Sequence, residues 1–141
     1  MLSFKQMALN AEVIALLRRV GLPTEDLDPV STTFCGMWED EMLCGVIAIE
    51  PYHDVGLLRS LAVSPAFRGR GQGEVLVGKA EELARRVGVE ELYLLTVSSS
   101  TLFERCGFAH VARDDVPVSI RETKQFSGLC PATCAVMRKR I

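Results

Sequence analysis

No apolar run in this sequence is long enough to cross a bilayer. The longest uncharged stretch extends only from Gln125 to Met137 and contains Gly128 and Pro131, whereas a spanning helix needs about 20 apolar residues. An excess of one charge is also missing. Sixteen basic residues stand against eighteen acidic ones, for a net charge of −2, so the basic face of a phosphate-backbone reader is absent. The five cysteines, Cys35, Cys44, Cys106, Cys130 and Cys134, are odd in number and lack a paired spacing, which argues against a disulfide framework. Zinc held by Cys130 and Cys134 with His53 or His110 would need closer pairs of ligands than this one loose pair. No metal is expected, and the cysteines read as buried reduced thiols. Glu12 interrupts the apolar run after Lys5, so no signal peptide is expected. Repeats, linkers and low-complexity tracts are lacking as well. What remains is ordinary globular composition, 48% apolar and 24% charged over 141 residues. The expectation is one cytoplasmic domain, residues 1–141, with neither nucleic acid nor membrane as partner.

Local signals divide the chain into strands and helices. Ala11 to Val20 reads as a helix, with Asn10 as N-cap and Gly21 then Pro23 closing it. A short helical turn is expected from Thr24 to Leu27. Thr32 to Trp38 and Met42 to Ile49 read as a hairpin around Glu39-Asp40-Glu41, and Val55 to Val63 as a third strand. A strand before the first helix is confined to Leu2–Gln6. The longest helix spans Gly73 to Val87. Leu76, Ala80, Leu83 and Val87 share one face, Glu81–Arg85 and Glu82–Arg86 pair on the other, and Gly88 follows as a C-cap. Leu92 to Thr96 is a strand buried on both faces. Short helices at Thr101–Arg105 and Val118–Gln125, a strand after Gly107 whose tail begins at Val111 and a last strand from Ala135 to Ile141 complete a mixed α/β sheet.

The segment with chemical content is Leu58-Arg59-Ser60-Leu61-Ala62-Val63, a turn at Ser64-Pro65-Ala66-Phe67, then Arg68-Gly69-Arg70-Gly71-Gln72-Gly73. A strand ends, and a glycine-rich loop opens the longest helix. Glycines let backbone amides converge on one point, and the positive end of the helix dipole aims at the same point. A phosphate suits that arrangement; a flexible turn with solvated arginines is the plainer alternative. The mononucleotide loop needs a Lys-Ser or Lys-Thr pair, which is absent. The dinucleotide fingerprint needs G-x-G-x-x-G, whereas this run is G-x-G-x-G.

Arg68-x-x-Gly71-x-Gly73 after a Leu-Ala-Val strand resembles the acyl-CoA signature of GNAT N-acyltransferases. Phe103-Glu104-Arg105-Cys106-Gly107-Phe108 resembles the aromatic-x-x-x-Gly-Phe segment of the same family. The tail, with Val116-Pro117, Ile120, Thr123, Phe126, Leu129-Cys130-Pro131 and Met137-Arg138-Lys139, is similar to the arsenic-resistance N-acetyltransferase group, as is Leu57-Leu58-Arg59-Ser60-Leu61-Ala62-Val63. The segment is also similar to the acetyltransferase domain of N-acetylglutamate synthases. The resemblance implies a single-domain GNAT fold, a mostly antiparallel mixed sheet with a V-shaped opening between strands 4 and 5. It also implies acetyl-CoA as co-substrate, a small amine as acceptor, an amino acid or amino-acid-like toxic compound among the options, and direct transfer in a ternary complex. Homodimers are frequent in the family, so a second copy is a candidate partner.

The same resemblance assigns roles. Backbone groups of Leu61, Ala62 and Val63 would hold the pantetheine arm, with an amide at Leu61 as oxyanion donor. Amides from Gly69 to Gly73 and Glu74, with Arg68, Arg70 and Gln72, would hold the pyrophosphate, and Thr96 and Phe103 would flank the cofactor. Three positions depart from the family pattern. Phe103 stands where many members have a proton-donating tyrosine, Thr96 where many have asparagine, and Leu57 where some have a glutamate base. Glu50, acting through water, is the leading general base, against a solvated strand-end carboxylate as the alternative. Strand alternation puts Arg59, Leu61 and Val63 on one face, so Arg59 is expected to bind an anionic group of the acceptor bidentately, with Ser60 nearby. A bulge would reverse that face, and a surface ion pair with Glu50 or Asp54 is the plainer reading of Arg59. His53 reads as a solvated turn residue, Tyr93 as core and Cys106 as packing. Two other functions compete: a CoA-binding sensor or scaffold without catalysis, which the missing tyrosine keeps open, and acetylation of peptide N-termini.

Overall fold

Apolar alternation and turn chemistry produce a seven-stranded sheet with helices on both faces. The computed structural model describes residues 1–129 and 134–141; Cys130 and Pro131 of the tail motif lie outside them. The strands are β1 (Leu2–Met7), β2 (Thr33–Glu39), β3 (Met42–Tyr52), β4 (Val55–Val63), β5 (Glu91–Thr96), β6 (Ala109–His110) and β7 (Ala135–Arg140). The helices are α1 (Ala11–Arg19), α2 (Gln72–Arg86), α3 (Ser100–Arg105) and α4 (Val118–Arg121). Sheet order is β1-β2-β3-β4-β5-β7-β6. Every neighbouring pair is antiparallel except β4 with β5. Among the described residues no helix is long and apolar enough to cross a membrane.

Each helix end has a local cause. The Asn10 side chain accepts from the Val13 amide at 3.0 Å and starts α1. Gly21 then turns the chain left-handed at φ +78°. α2 lays Leu76, Val77, Ala80, Leu83 and Ala84 against one sheet face, where Ile47, Ile49, Leu58, Leu92 and Leu94 form the main core. On the other face α1 covers Phe34, Val46, Ala48 and Ala62, and Ile120 of α4 packs with Leu57, Tyr93 and Leu95. β5 is therefore buried on both faces, as its apolar run requires.

Several expectations are corrected. Thr24–Leu27 is a turn closed by Leu27 N–H to Thr24 O at 3.3 Å, not a helical turn. The helix expected at Val118–Gln125 stops at Arg121, and a separate π-helical turn covers Gln125–Leu129. The strand after Gly107 is only Ala109–His110. Val87 lies past the end of α2 and is 53% exposed. Glu81 was expected on the solvent face and is buried instead. Lys139 of β7 donates to its two carboxylate oxygens at 3.0 and 2.9 Å, while Arg85 stands 3.6 Å away. The Lys139 stem also lies over Gly107, where an added Cβ would come within 3.2 Å of it. This pair ties α2 to the last long strand. Lys139→Ala should lower stability by about 2 kcal/mol, because it strands a buried carboxylate that exposed Arg85 only partly compensates. Urea denaturation of both proteins measures it.

Candidate active site

The site begins where two strands part. β4 and β5 pair only over Val55–Leu57 against Glu91–Tyr93. Beyond Leu57, β4 stays with β3, while β5 stays with β7 as far as Thr96↔Ala135. The base of the V is pinned by Asp54, whose carbonyl accepts from the Glu90 and Glu91 amides at 2.7 and 3.2 Å. A bulge lies just above the fork. Val46 pairs with Ala62 and Ala48 with Arg59, so Ile47 alone faces Ser60 and Leu61. Ser60 takes φ +60° there, a left-handed conformation that a non-glycine residue adopts at a cost. The β4 edge facing β5 thus presents main-chain groups that no strand among the described residues satisfies, a surface for an extended ligand.

The bulge reverses the expected face of Arg59. Leu58, Leu61 and Val63 pack against the α2 core, whereas Leu57 and Ala62 pack on the opposite side of the sheet. Arg59 goes with the latter pair and meets Asp26 from the loop after α1. The guanidinium donates from Nη2 to Asp26 Oδ1 at 2.7 Å and from Nη1 to Asp26 Oδ2. Nη1 also donates to Glu50 Oε2 at 2.8 Å, and Nε to Ser60 Oγ at 3.2 Å. The side chains of Arg59, Asp26 and Glu50 are only 1%, 5% and 7% exposed. This is a buried ion triad, not a surface pair with Glu50 or Asp54. Burial acts against the Arg59 charge, but the bonds to Asp26 and Glu50 outweigh it and hold the guanidinium above its ordinary pKa. The other Glu50 oxygen accepts from the Tyr52 hydroxyl at 2.6 Å. Burial first, then that bond, raises the Tyr52 pKa well above the usual phenol value. With both oxygens engaged, Glu50 is poorly set to take a proton from water.

Two cavities meet at the opening. The larger, of about 540 Å³, is walled by Leu61, Ala62 and Val63 on one side and by the glycine loop and the start of α2 on the other. Gly69 and Gly71 have φ +79° and +74°, and Gly71 immediately precedes α2, so the first amides of that helix open into the cavity. Arg68 borders it, its Nε donating to Val63 O at 2.9 Å. Gln72, Gly73 and Glu74 also line it. Arg70 does not; its guanidinium lies 5.7 Å from the Phe67 ring centroid. Arg105, which no sequence motif singles out, also lines the cavity and pairs with Glu74 at 2.9 Å.

The smaller cavity, of about 100 Å³, lies on the other side of the fork. Arg59 and Ser60 border it, and so do Thr96 and Phe103, which were expected beside the cofactor. Phe103 is buried edge-on against Phe108 with centroids 5.8 Å apart. Thr96 Oγ1 accepts from the Ser99 amide at 2.9 Å. Leu22, Leu61 and Ser99 line both cavities and so mark their junction. His53 is an exposed turn residue at φ +63°. Tyr93 belongs to the core on the α4 side, whereas Cys106 packs against the α2-side core, its thiol pushed up by burial.

A sheet forked at β4 and β5, with a glycine loop leading into the helix beside the fork, defines an acyltransferase architecture. The chain belongs to the acetyltransferase (GNAT) family, whose model matches residues 7–108. It is similar to the amino-acid acetyltransferase of Ralstonia nicotianae, with 36% identity over 85 residues, 59% of this chain and 19% of that protein. The amino-acid acetyltransferase of Enterobacter sp. is 30% identical over 100 residues, 70% of this chain and 23% of that protein. The chain therefore spans only about a fifth of the length of these relatives. Among solved structures, N-acetylglutamate synthase from Neisseria gonorrhoeae complexed with coenzyme A and N-acetyl-glutamate has a TM-score of 0.82 at 22% identity, covering 99% of this chain and 35% of that one. An acetyltransferase from Streptococcus agalactiae has a TM-score of 0.75 at 18% identity, covering 99% of this chain and 98% of that one. At those identities the structures share the fold.

The triad sets a pH test. Arg59→Met leaves two buried carboxylates facing each other with no cation between them, a repulsion that the folded variant relieves by taking up a proton. The folded variant then binds more protons than its unfolded chain, so its stability falls as pH rises. Its melting temperature should climb as pH is lowered from 8 to 5. A scanning calorimetry series over that range checks the sign.

Proposed function

We propose that the protein is an acetyl-CoA-dependent N-acetyltransferase acting on a small amine, an amino acid or amino-acid-like compound, by direct transfer in a ternary complex. The observation that carries the reading is the unpaired β4 edge at Leu61–Val63 continuing into the glycine loop along one wall of the larger cavity. The fit is good: an extended arm finds main-chain partners on β4, and a pyrophosphate finds the amides of Gly69–Gly73 and Glu74 at the α2 N-terminus. Arg68 adds charge at the loop, and Arg105 stands ready to exchange exposed Glu74 for a phosphate. Acetyl-CoA bound there supplies a thioester-activated acetyl group.

The chain's own groups do the rest. The Leu61 amide, freed by the bulge, is placed to donate to the thioester oxygen as charge develops on it. The acceptor enters through the smaller cavity, past Arg59 and Ser60. Phe103 has no proton to give, so water at the junction beside Ser99 returns the proton to sulfur. Glu50 holds Arg59 rather than acting as a base, and the amine loses its proton to water. The tail motif supports placing the chain in the arsenic-resistance N-acetyltransferase group. A cytoplasmic location and a homodimer accompany that reading, with neither nucleic acid nor membrane as partner. A CoA-binding scaffold without catalysis is the second reading, and buried Phe103 is the observation that favours it.

Acetyl-CoA at a hundredfold over its dissociation constant should stabilise the fold by about 2.7 kcal/mol. Gly71→Val, which forces a β-branched residue to φ +74°, should bind it at least tenfold more weakly. Thiol release with an amine panel then separates the two readings. Stabilisation without thiol release favours the scaffold; no stabilisation counts against both.

A further inference from the structure

We infer that the acceptor brings no anionic side-chain group against the Arg59 cluster of the smaller cavity, so that among amino acids it is one with a neutral side chain rather than a second carboxylate. The inference deepens the N-acetyltransferase reading and rests on it. Arg59 is the one charged side chain among the described residues bordering that cavity, and its charge is already spent. Asp26 takes two of its N–H groups, Glu50 a third and Ser60 the fourth. One Nη2 hydrogen remains for a ligand. The formal charge of Arg59, Asp26 and Glu50 together is −1, and all three side chains are at least nine-tenths buried.

A carboxylate, phosphonate or arsenic oxyanion brought against this cluster meets a net negative charge in a site shielded from water. Like charges there repel more strongly than in solvent. The acceptor anion would have to displace Asp26 or Glu50, leaving a buried carboxylate without its cation. A neutral oxygen needs only the single remaining N–H. The rest of the wall carries no charge: Leu22, Leu58, Leu94, Leu95 and Phe103 present apolar atoms, and Ser60, Thr96, Ser99 and Gln125 are neutral polar residues. Behind Asp26 a second hollow, of about 340 Å³, is bordered by Glu25 and Asp26 with Lys124 its one cation among the described residues. Asp26 is thus a specificity-determining residue that acts through Arg59.

Matched acceptors test this on the intact chain. With acetyl-CoA saturating, kcat/KM is measured for L-glutamine and L-glutamate by thiol release. The wild type should favour glutamine at least tenfold. Asp26→Asn keeps an oxygen facing the guanidinium, brings the cluster to zero charge and should narrow that preference at least threefold, with acetyl-CoA affinity by calorimetry within twofold of wild type. Should the variant not fold, product inhibition of the wild type serves instead, N-acetyl-L-glutamine inhibiting more tightly than N-acetyl-L-glutamate. Glutamate turned over as fast as glutamine, tighter inhibition by N-acetyl-L-glutamate, or an unchanged preference in a folded Asp26→Asn protein overturns the inference and leaves acetyl transfer standing. No thiol release with either acceptor, or with any other amine, overturns the acetyltransferase reading and this one with it.

Discussion

An open strand edge inside a sheet is costly unless something satisfies it, and the geometry around β4 keeps one open. β4 and β5 share only three register positions before β5 turns its hydrogen bonds wholly to β7. The bulge at Ser60 then shifts the register of β4 on β3 and raises its local twist. Both cavities are consequences of that parting. The glycine loop alone would offer phosphate-binding amides on an exposed surface. Beside a forked sheet it closes one end of a cleft whose other end reaches a buried polar cluster.

The bulge also explains why the polar cluster exists. One extra residue in β4 turns Arg59 away from the α2 core, where a guanidinium would have no partner, and towards Asp26 and Glu50. The strain at Ser60 and the ion triad are therefore coupled. The hydroxyl of the strained residue accepts from Arg59 Nε, and the guanidinium ties β4 to both β3 and the loop after α1. That loop supplies Asp26 to the triad and Leu22 to the junction of the two cavities, so one tether shapes the acceptor side of the site.

Features with local causes were readable from the residues themselves. Asn10 before an apolar-periodic run marked the start of α1, and Arg68–Gly73 marked the loop ahead of α2. The continuous run Leu92–Thr96 marked a strand covered on both faces. Features set by distant partners were not. Asp26 meets Arg59 across 33 residues, and Glu81 is drawn inside by Lys139 across 58, although helical spacing alone puts it on the solvent face. The bulge was hidden for a different reason. Simple alternation assigns Arg59 the same face as Leu61, and serine at position 60 gives no glycine signal of a left-handed residue. The face of Arg59, and with it the meaning of the acceptor site, turns on that one position.

The crystal structure of the protein with coenzyme A tests the account most directly. The pantetheine arm should lie between β4 and β5 against Leu61–Val63, with the pyrophosphate on the amides of Gly69–Glu74 and the Asp26–Arg59–Glu50 triad intact. Coenzyme A bound away from the fork, or a β4 that straightens and pairs with β5 beyond Leu57, would contradict it.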